Sequence, residues 1–307
     1  GIPFFSADTS SIYTHDVSGT DDTANYNTAY GIEALDAITT GDDNTALGYQ
    51  SLSANTTGQR NVAIGKKALF ANTTANYNIA IGFEALAANT TAADNIAIGK
   101  STMEANTTGT RNLAIGFEAY VGSDTENDNI AIGYQAMTTN TAGGTENTAI
   151  GNYSMDTLTS GDQNTAVGMN AMGAITTGNQ NTAVGRASLL VNTSGTGNTA
   201  VGRNALNQNS TGGYNTGIGG SALDANTTGA TNVAVGFESL VANTTGDDNV
   251  GIGVDALKAN TTASDNTAVG RSALGANTTG VNNTAVGKDS IGNNTTGARN
   301  TAVGMNS

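Results

Sequence analysis

From Asn27 onward, small apolar and β-branched residues alternate with Asn and Gly in one recurring block. The block is Asn-x-Ala-x-Gly, with Thr, Val, Ile or Leu at its second place and, in nearly every copy, Val, Ile or Leu at its fourth. It closes at Gly31, Gly48, Gly65 and onward to Gly304, in 17 copies spaced by 17 residues, with one interval of 18. Written out, the unit is N-T-A-[VI]-G-x-x-A-L-x-A-N-T-T-G-x-x. Alternation over five residues predicts one short strand per unit. A unit of this length is too short for a helical-hairpin repeat or a four-stranded propeller blade. The pattern therefore predicts an all-β fold, a parallel β-solenoid of about 17 coils with a 17-residue repeat, over residues 25–307. Residues 1–24 read as an irregular N-terminal segment that caps the solenoid or plugs a neighbour.

Numbering places from the pentad Asn turns each place into a ladder up the solenoid. The ninth place holds Leu52, Leu69, Leu86, Met103, Met137 and similar residues, which marks a core ladder. At the twelfth, Asn55, Asn72, Asn89 and Asn106 exchange with Ile38, Leu158 and Ile175 in other coils. Asn that exchanges with Ile is expected to point inward, with its amides bonding from coil to coil. Within the pentad, the apolar second and fourth places are expected on the core side. The first, third and fifth places, Asn, Ala or Gly, and Gly, then share the outer side. A solvent-facing place would admit larger residues somewhere in 17 copies. The third place is therefore expected to meet the backbone of a second chain, with Ala63, Ala80, Ala97, Ala114, Ala131, Ala183 and Ala200 as the self-association face of a parallel homo-oligomer. Gly at the fifth place fits a turn that needs positive φ.

The sixth place varies most and holds Tyr49, Lys66, Phe83, Lys100, Phe117, Tyr134, Arg186, Arg203 and Phe237 among others. It reads as an exposed corner. It also offers Tyr49, Phe83, Phe117, Tyr134 and Phe237 as candidate contacts to cell-surface or matrix glycans. The one longer interval falls at Gly143-Gly144 and marks the Thr-Thr-Gly stretch as an outward loop that absorbs a residue.

Composition sharpens this picture. The 307 residues include 41 Gly, 40 Asn and 49 Thr, while aromatics are 5% and charged residues 12%, so a conventional globular core of large side chains is not expected. The net charge of −14 argues against nucleic acid as a partner. No apolar run is long enough to span a membrane, and Cys is absent, which removes disulfides and thiolate chemistry. The single His15 sits in the non-repeated segment, so neither a multi-His metal site nor a His-based triad is expected within one chain, and no phosphate loop is present. Carboxylates gather before the pentad, at Asp42, Asp43, Asp94, Glu126, Asp128, Asp247, Asp248 and Asp265. They read as a solvated acidic edge, with calcium between coils as the alternative, although the calcium-binding nonapeptide pattern is missing. No cofactor is expected, and no enzymatic constellation is visible.

The pentads Asn61-Val62-Ala63-Ile64-Gly65, Asn95-Ile96-Ala97-Ile98-Gly99 and Asn232-Val233-Ala234-Val235-Gly236 resemble the N-S-V-A-I-G units in the heads of YadA-like trimeric autotransporter adhesins. The full unit also resembles repeat arrays of bacterial and phage tail-fibre-domain proteins. The adhesin resemblance implies a left-handed β-roll, three chains side by side, and attachment to host or matrix surfaces. The period here is longer than the adhesin unit. Together these readings lead to a non-enzymatic extracellular structural protein, a rod that self-associates into a fibre, filament or adhesin shaft. The variants are a phage tail-fibre shaft in the virion, a glycan-binding adhesin module and, least favoured, an ice-binding protein. The chain starts at Gly1 and stops just after a pentad. It is expected to be either a piece of a longer fibre or a head-to-tail filament subunit, with Ile2, Phe4 and Phe5 as an end-to-end contact.

Overall fold

A computed structural model describes residues 12–13, 23–140 and 143–307 and shows an all-β chain, a parallel β-solenoid of about 17 turns. The chain divides into two units, Gly1–Asn147 and Thr148–Ser307. The first carries β1 (Ile12–Tyr13) and then β2 (Thr28–Tyr30) to β8 (Ile130–Ile132), one strand per coil. The second carries β9 (Thr148–Ile150) to β18 (Thr301–Val303). Within each unit, neighbouring strands pair in parallel and in register, as in Val62↔Ile79 of the first and Thr182↔Thr199 of the second. The segment expected to be irregular contains β1, which pairs Ile12 with Thr28 and Tyr13 with Ala29. Ile2, Phe4, Phe5 and His15 lie outside the described residues. No helix among the described residues is long and apolar enough to cross a membrane.

In nearly every full coil three residues other than glycine adopt left-handed backbone, at the seventh, ninth and seventeenth places; Gly197 takes the last of these in one coil, and Glu146 stands one place later in the 18-residue coil. In another coil the three are Lys67 (φ 59°), Leu69 (φ 51°) and Tyr77 (φ 60°). Each such residue costs roughly 1 kcal/mol or more. The conformation turns the amide along the solenoid: Lys67 N–H donates to the Tyr49 carbonyl at 2.9 Å, Leu69 N–H to Ala85 at 3.0 Å and Tyr77 N–H to Gln59 at 3.1 Å. Those inter-coil bonds offset the strain. The pentad glycines have φ from 127° to 146°, as expected of the fifth place. At Gly236, an added Cβ would stand 2.7 Å from both the carbonyl carbon and oxygen of Gly253, one coil on.

Two Asn ladders fill much of the interior. At the twelfth place, Asn72 Nδ2 donates to Asn55 Oδ1 at 2.9 Å, and Asn89 Nδ2 continues to Asn72 Oδ1 at 3.0 Å, the inward stack expected. At the first place, Asn232 Nδ2 donates to the Gly246 carbonyl at 2.8 Å, while Asn232 Oδ1 accepts from Asn249 N–H at 3.0 Å. The pentad is turned the other way from expectation. Its Asn and its third-place Ala are buried, and the second and fourth places point outward. Ala63, Ala80, Ala97, Ala114, Ala131, Ala183 and Ala200 are all 0% exposed, so these side chains form no surface for a second chain. The cause of their uniform size is the coil itself. A Cβ at Gly217, a third-place residue, would lie 3.3 Å from Leu206 Cγ. The ninth-place ladder and the two Asn ladders leave room for a methyl group and little more.

Candidate functional site

With alanine inside, the outward strand face carries the second and fourth places. None of these positions holds a charged residue in any of the 17 coils. In the first unit, β4 (Val62–Ile64), β5 (Ile79–Ile81), β6 (Ile96–Ile98), β7 (Leu113–Ile115) and β8 present only Val, Ile and Leu. These side chains are half-buried by their neighbours along the columns. They form an apolar stripe five coils long that none of the described residues covers. In the second unit, β9 to β13 (Thr216–Ile218) instead present Thr beside Val or Ile. Sequence reasoning identified the columns and placed them inside.

The sixth-place residues do form an outer row. In the first unit the Lys66 ammonium sits over the Phe83 ring at 5.5 Å, and Lys100 sits over Phe117 at 5.2 Å. Phe117 then stacks on Tyr134 with centroids 5.2 Å apart and planes 7° apart. Both faces of Phe117 are therefore occupied, one face of Phe83 and one of Tyr134 likewise, and the rings offer their edges outward. A sugar that stacks on an aromatic face finds less here than the residue types promised. Tyr49 and, in the second unit, Phe237 are exposed, and the Phe237 ring lies over Gly220, where an added Cβ would be 3.3 Å from Cδ2.

Several of the carboxylates before the pentad are engaged by the chain itself. Arg111 Nε and Nη2 hold Asp128 at 2.6 Å and 2.8 Å. That hydrogen-bonded guanidinium holds the Asp128 carboxyl below the usual carboxylate range. Arg60 lies 3.6 Å from Asp43 and 5.3 Å over the Tyr77 ring. Asp42 accepts the Asn25 N–H at 2.7 Å, and Asp247 accepts the Ala230 N–H at 2.7 Å. Among the described residues, no three His, Cys, Asp or Glu side chains gather to hold a metal ion. The pairing of Arg with Asp one period away is a sequence signal that reasoning by loop composition passed over.

Glu126 departs from the edge and turns inward, where it is buried in the first unit. Its carboxylate accepts from Ser123 Oγ, from Asp124 N–H and from Thr125 N–H, each at 3.1 Å, and from Gly143 N–H at 3.0 Å. Ser123 stands where other coils carry ladder Asn, so Asn106 Oδ1 below it has no partner. Tyr120 replaces the ninth-place Leu, and its hydroxyl accepts from Asn129 Nδ2 at 2.6 Å and Asn140 Nδ2 at 3.1 Å. Burial pushes the Tyr120 phenol up from its usual range. The cluster adjoins the longer loop, whose Gly144 carbonyl takes both Asn129 and Asn140 amides. Glu126 and Tyr120 are buried in it, and it is a local repacking of the ladder around one extra residue.

No family model matches the chain, and no curated protein matches it in sequence.

Proposed function

We propose that the chain is a non-enzymatic structural protein of an extracellular fibre, a shaft of the kind found in surface adhesins or phage tail fibres, which associates side by side with copies of itself. The observation that carries this reading is the five-coil aliphatic stripe from Val62 to Ile132, outward and uncharged. Fully burying an aliphatic side chain of this size contributes about 1.5–3 kcal/mol, and half of that remains available on a half-buried one. Ten such side chains in register make a face that favours contact over water. An identical chain presents columns with the same spacing, so every ridge meets its match without a change of register. The adhesin and tail-fibre resemblances of the repeat support the same reading, and so does a surface built from one unit repeated with few departures.

Ile81→Lys together with Ile98→Lys places two charges on the stripe while leaving the interior intact. The expected result is a folded protein that sediments as a single chain, whereas the unmodified protein sediments as a multiple. Ala97→Lys is the contrasting variant. Because Ala97 is buried, it unfolds its coils instead of releasing folded chains. A single-chain mass for the unmodified protein at every concentration would sink the association.

A further inference from the structure

The outward strand face of the second unit differs in one respect that lateral packing does not use. From Thr148 in β9 to Thr216 in β13, every second-place residue is Thr. Thr165, Thr182 and Thr199 stand in register on successive strands. Threonines elsewhere in the coil spend their hydroxyls on the chain: Thr176 Oγ1 donates to the Thr193 carbonyl at 3.0 Å, and Thr193 Oγ1 to Ser210 at 3.1 Å. Among the described residues the strand threonine hydroxyls have no acceptor, which leaves them to bond to solvent. Beside them runs a column of Val and Ile, with Ile150 and Val184 both 38% exposed.

Hydroxyls and methyls thus form a two-column lattice. Its repeat along a column is about 4.8 Å, the strand spacing, and the columns are about 6.6 Å apart, two residues along a strand. Water bonded to one hydroxyl lies one strand spacing from water on the next. The methyls between them restrict neighbouring water without offering it competing bonds. No charged group on the face disturbs that order. Those repeats are of the same order as the oxygen spacings along and across a prism face of hexagonal ice. We propose that this face, β9 to β13, binds ice. An aliphatic face of a second copy fits it less well, because each Thr hydroxyl buried without a partner costs about 1–3 kcal/mol. Water pairs every one. The aliphatic stripe of β4 to β8 has no such hydroxyls, so the inference does not rest on lateral association.

The test is thermal hysteresis and ice-crystal shaping, measured on the full chain and on the Ile81→Lys/Ile98→Lys variant. Both are expected to hold freezing below melting and to facet the crystals. Adding Thr182→Lys and Thr199→Lys at the centre of the lattice should abolish the effect with the far-ultraviolet circular dichroism unchanged. Thr177→Lys, on an exposed loop, should leave it intact. Hysteresis confined to the association-deficient protein would support the proposal and show that a second copy covers the face. Absence of hysteresis from both proteins, or its survival in the Thr182→Lys/Thr199→Lys variant, overturns it.

Discussion

Replacing Asn232 tests whether amide stacking holds the coils together. Its Nδ2 donates to the Gly246 carbonyl at 2.8 Å and to Asn215 Oδ1 at 3.1 Å, and its Oδ1 accepts from Asn249 N–H at 3.0 Å and Asn249 Nδ2 at 3.1 Å. Asn232→Ala removes four bonds, but the partners are not equally stranded. The Gly246 carbonyl keeps Asn243 Nδ2, and Asn249 Nδ2 keeps the Ala263 carbonyl. The Asn249 N–H loses its acceptor while buried. One orphaned donor and three bonds lost from groups with a second partner come to about 3–5 kcal/mol. Asn232→Asp has nearly the same shape and keeps the acceptor, yet its second oxygen faces two acceptors, the Gly246 carbonyl and Asn215 Oδ1. At neutral pH it is therefore expected to be worse than Asn232→Ala. Burial and the facing oxygens raise the new carboxyl above its unfolded value of about 3.9. A raised folded value means that stability returns as pH falls through it and is lost as pH rises. Urea unfolding followed by circular dichroism between neutral and about pH 4 reads both effects as changes in midpoint. Equal stability of Asn232→Asp and the unmodified protein at neutral pH, or identical pH profiles for the Asp and Ala variants, refutes the ladder as a source of stability.

Two further outcomes follow from the same packing. Gly236→Ala is expected to cost more than about 4 kcal/mol, because positive φ and a backbone contact one coil away act together, whereas Gly143→Ala, with φ 104° and nothing within 4 Å, should cost only about 1–3 kcal/mol in urea midpoint measurements. Ser123→Asn alone is expected to destabilise, since the Glu126 carboxylate already uses the loop donors there. Combined with Glu126→Gly it restores a partner to Asn106 Oδ1, and a double-mutant cycle should show coupling of about 1–3 kcal/mol.

The period, the strand positions, the ninth-place core and the twelfth-place Asn stack were all legible in the repeat, because each place is sampled in coil after coil. Alternation showed which pentad places share a side. It did not show which side is inward, and hydropathy pointed the wrong way. In a coil this narrow, Leu69 and its counterparts fill the centre, so the strand can turn only a methyl inward and must leave Val62 and Ile64 outside. The restriction of the third place to Ala and Gly was the readable sign of that crowding, produced by the chain's own coils. The outer row at Phe83 and Phe117 was also located, but residue type carries no record of ring orientation, and the stacking along the row decides what the rings offer. Left-handed Leu69 and Tyr77 lay beyond reach for a related reason: neither residue type favours that conformation, and only bonds from neighbouring coils stabilise it.

Those axial bonds have a consequence for how such a chain changes over time. Most donors in a coil find their acceptor about one period away, with a few three-residue bonds inside the coil, so a lone coil is held by little of its own. Loss or gain of one whole period returns each later side chain to the ladder it came from, while gain of three residues moves Leu into the place of Asn and Asn into the place of Gly. Length is therefore free to drift in whole coils through unequal exchange between near-identical repeats, and the cross-section is not. The one 18-residue interval marks where the cross-section yielded, at a loop, with Glu126, Ser123 and Tyr120 reworked around it.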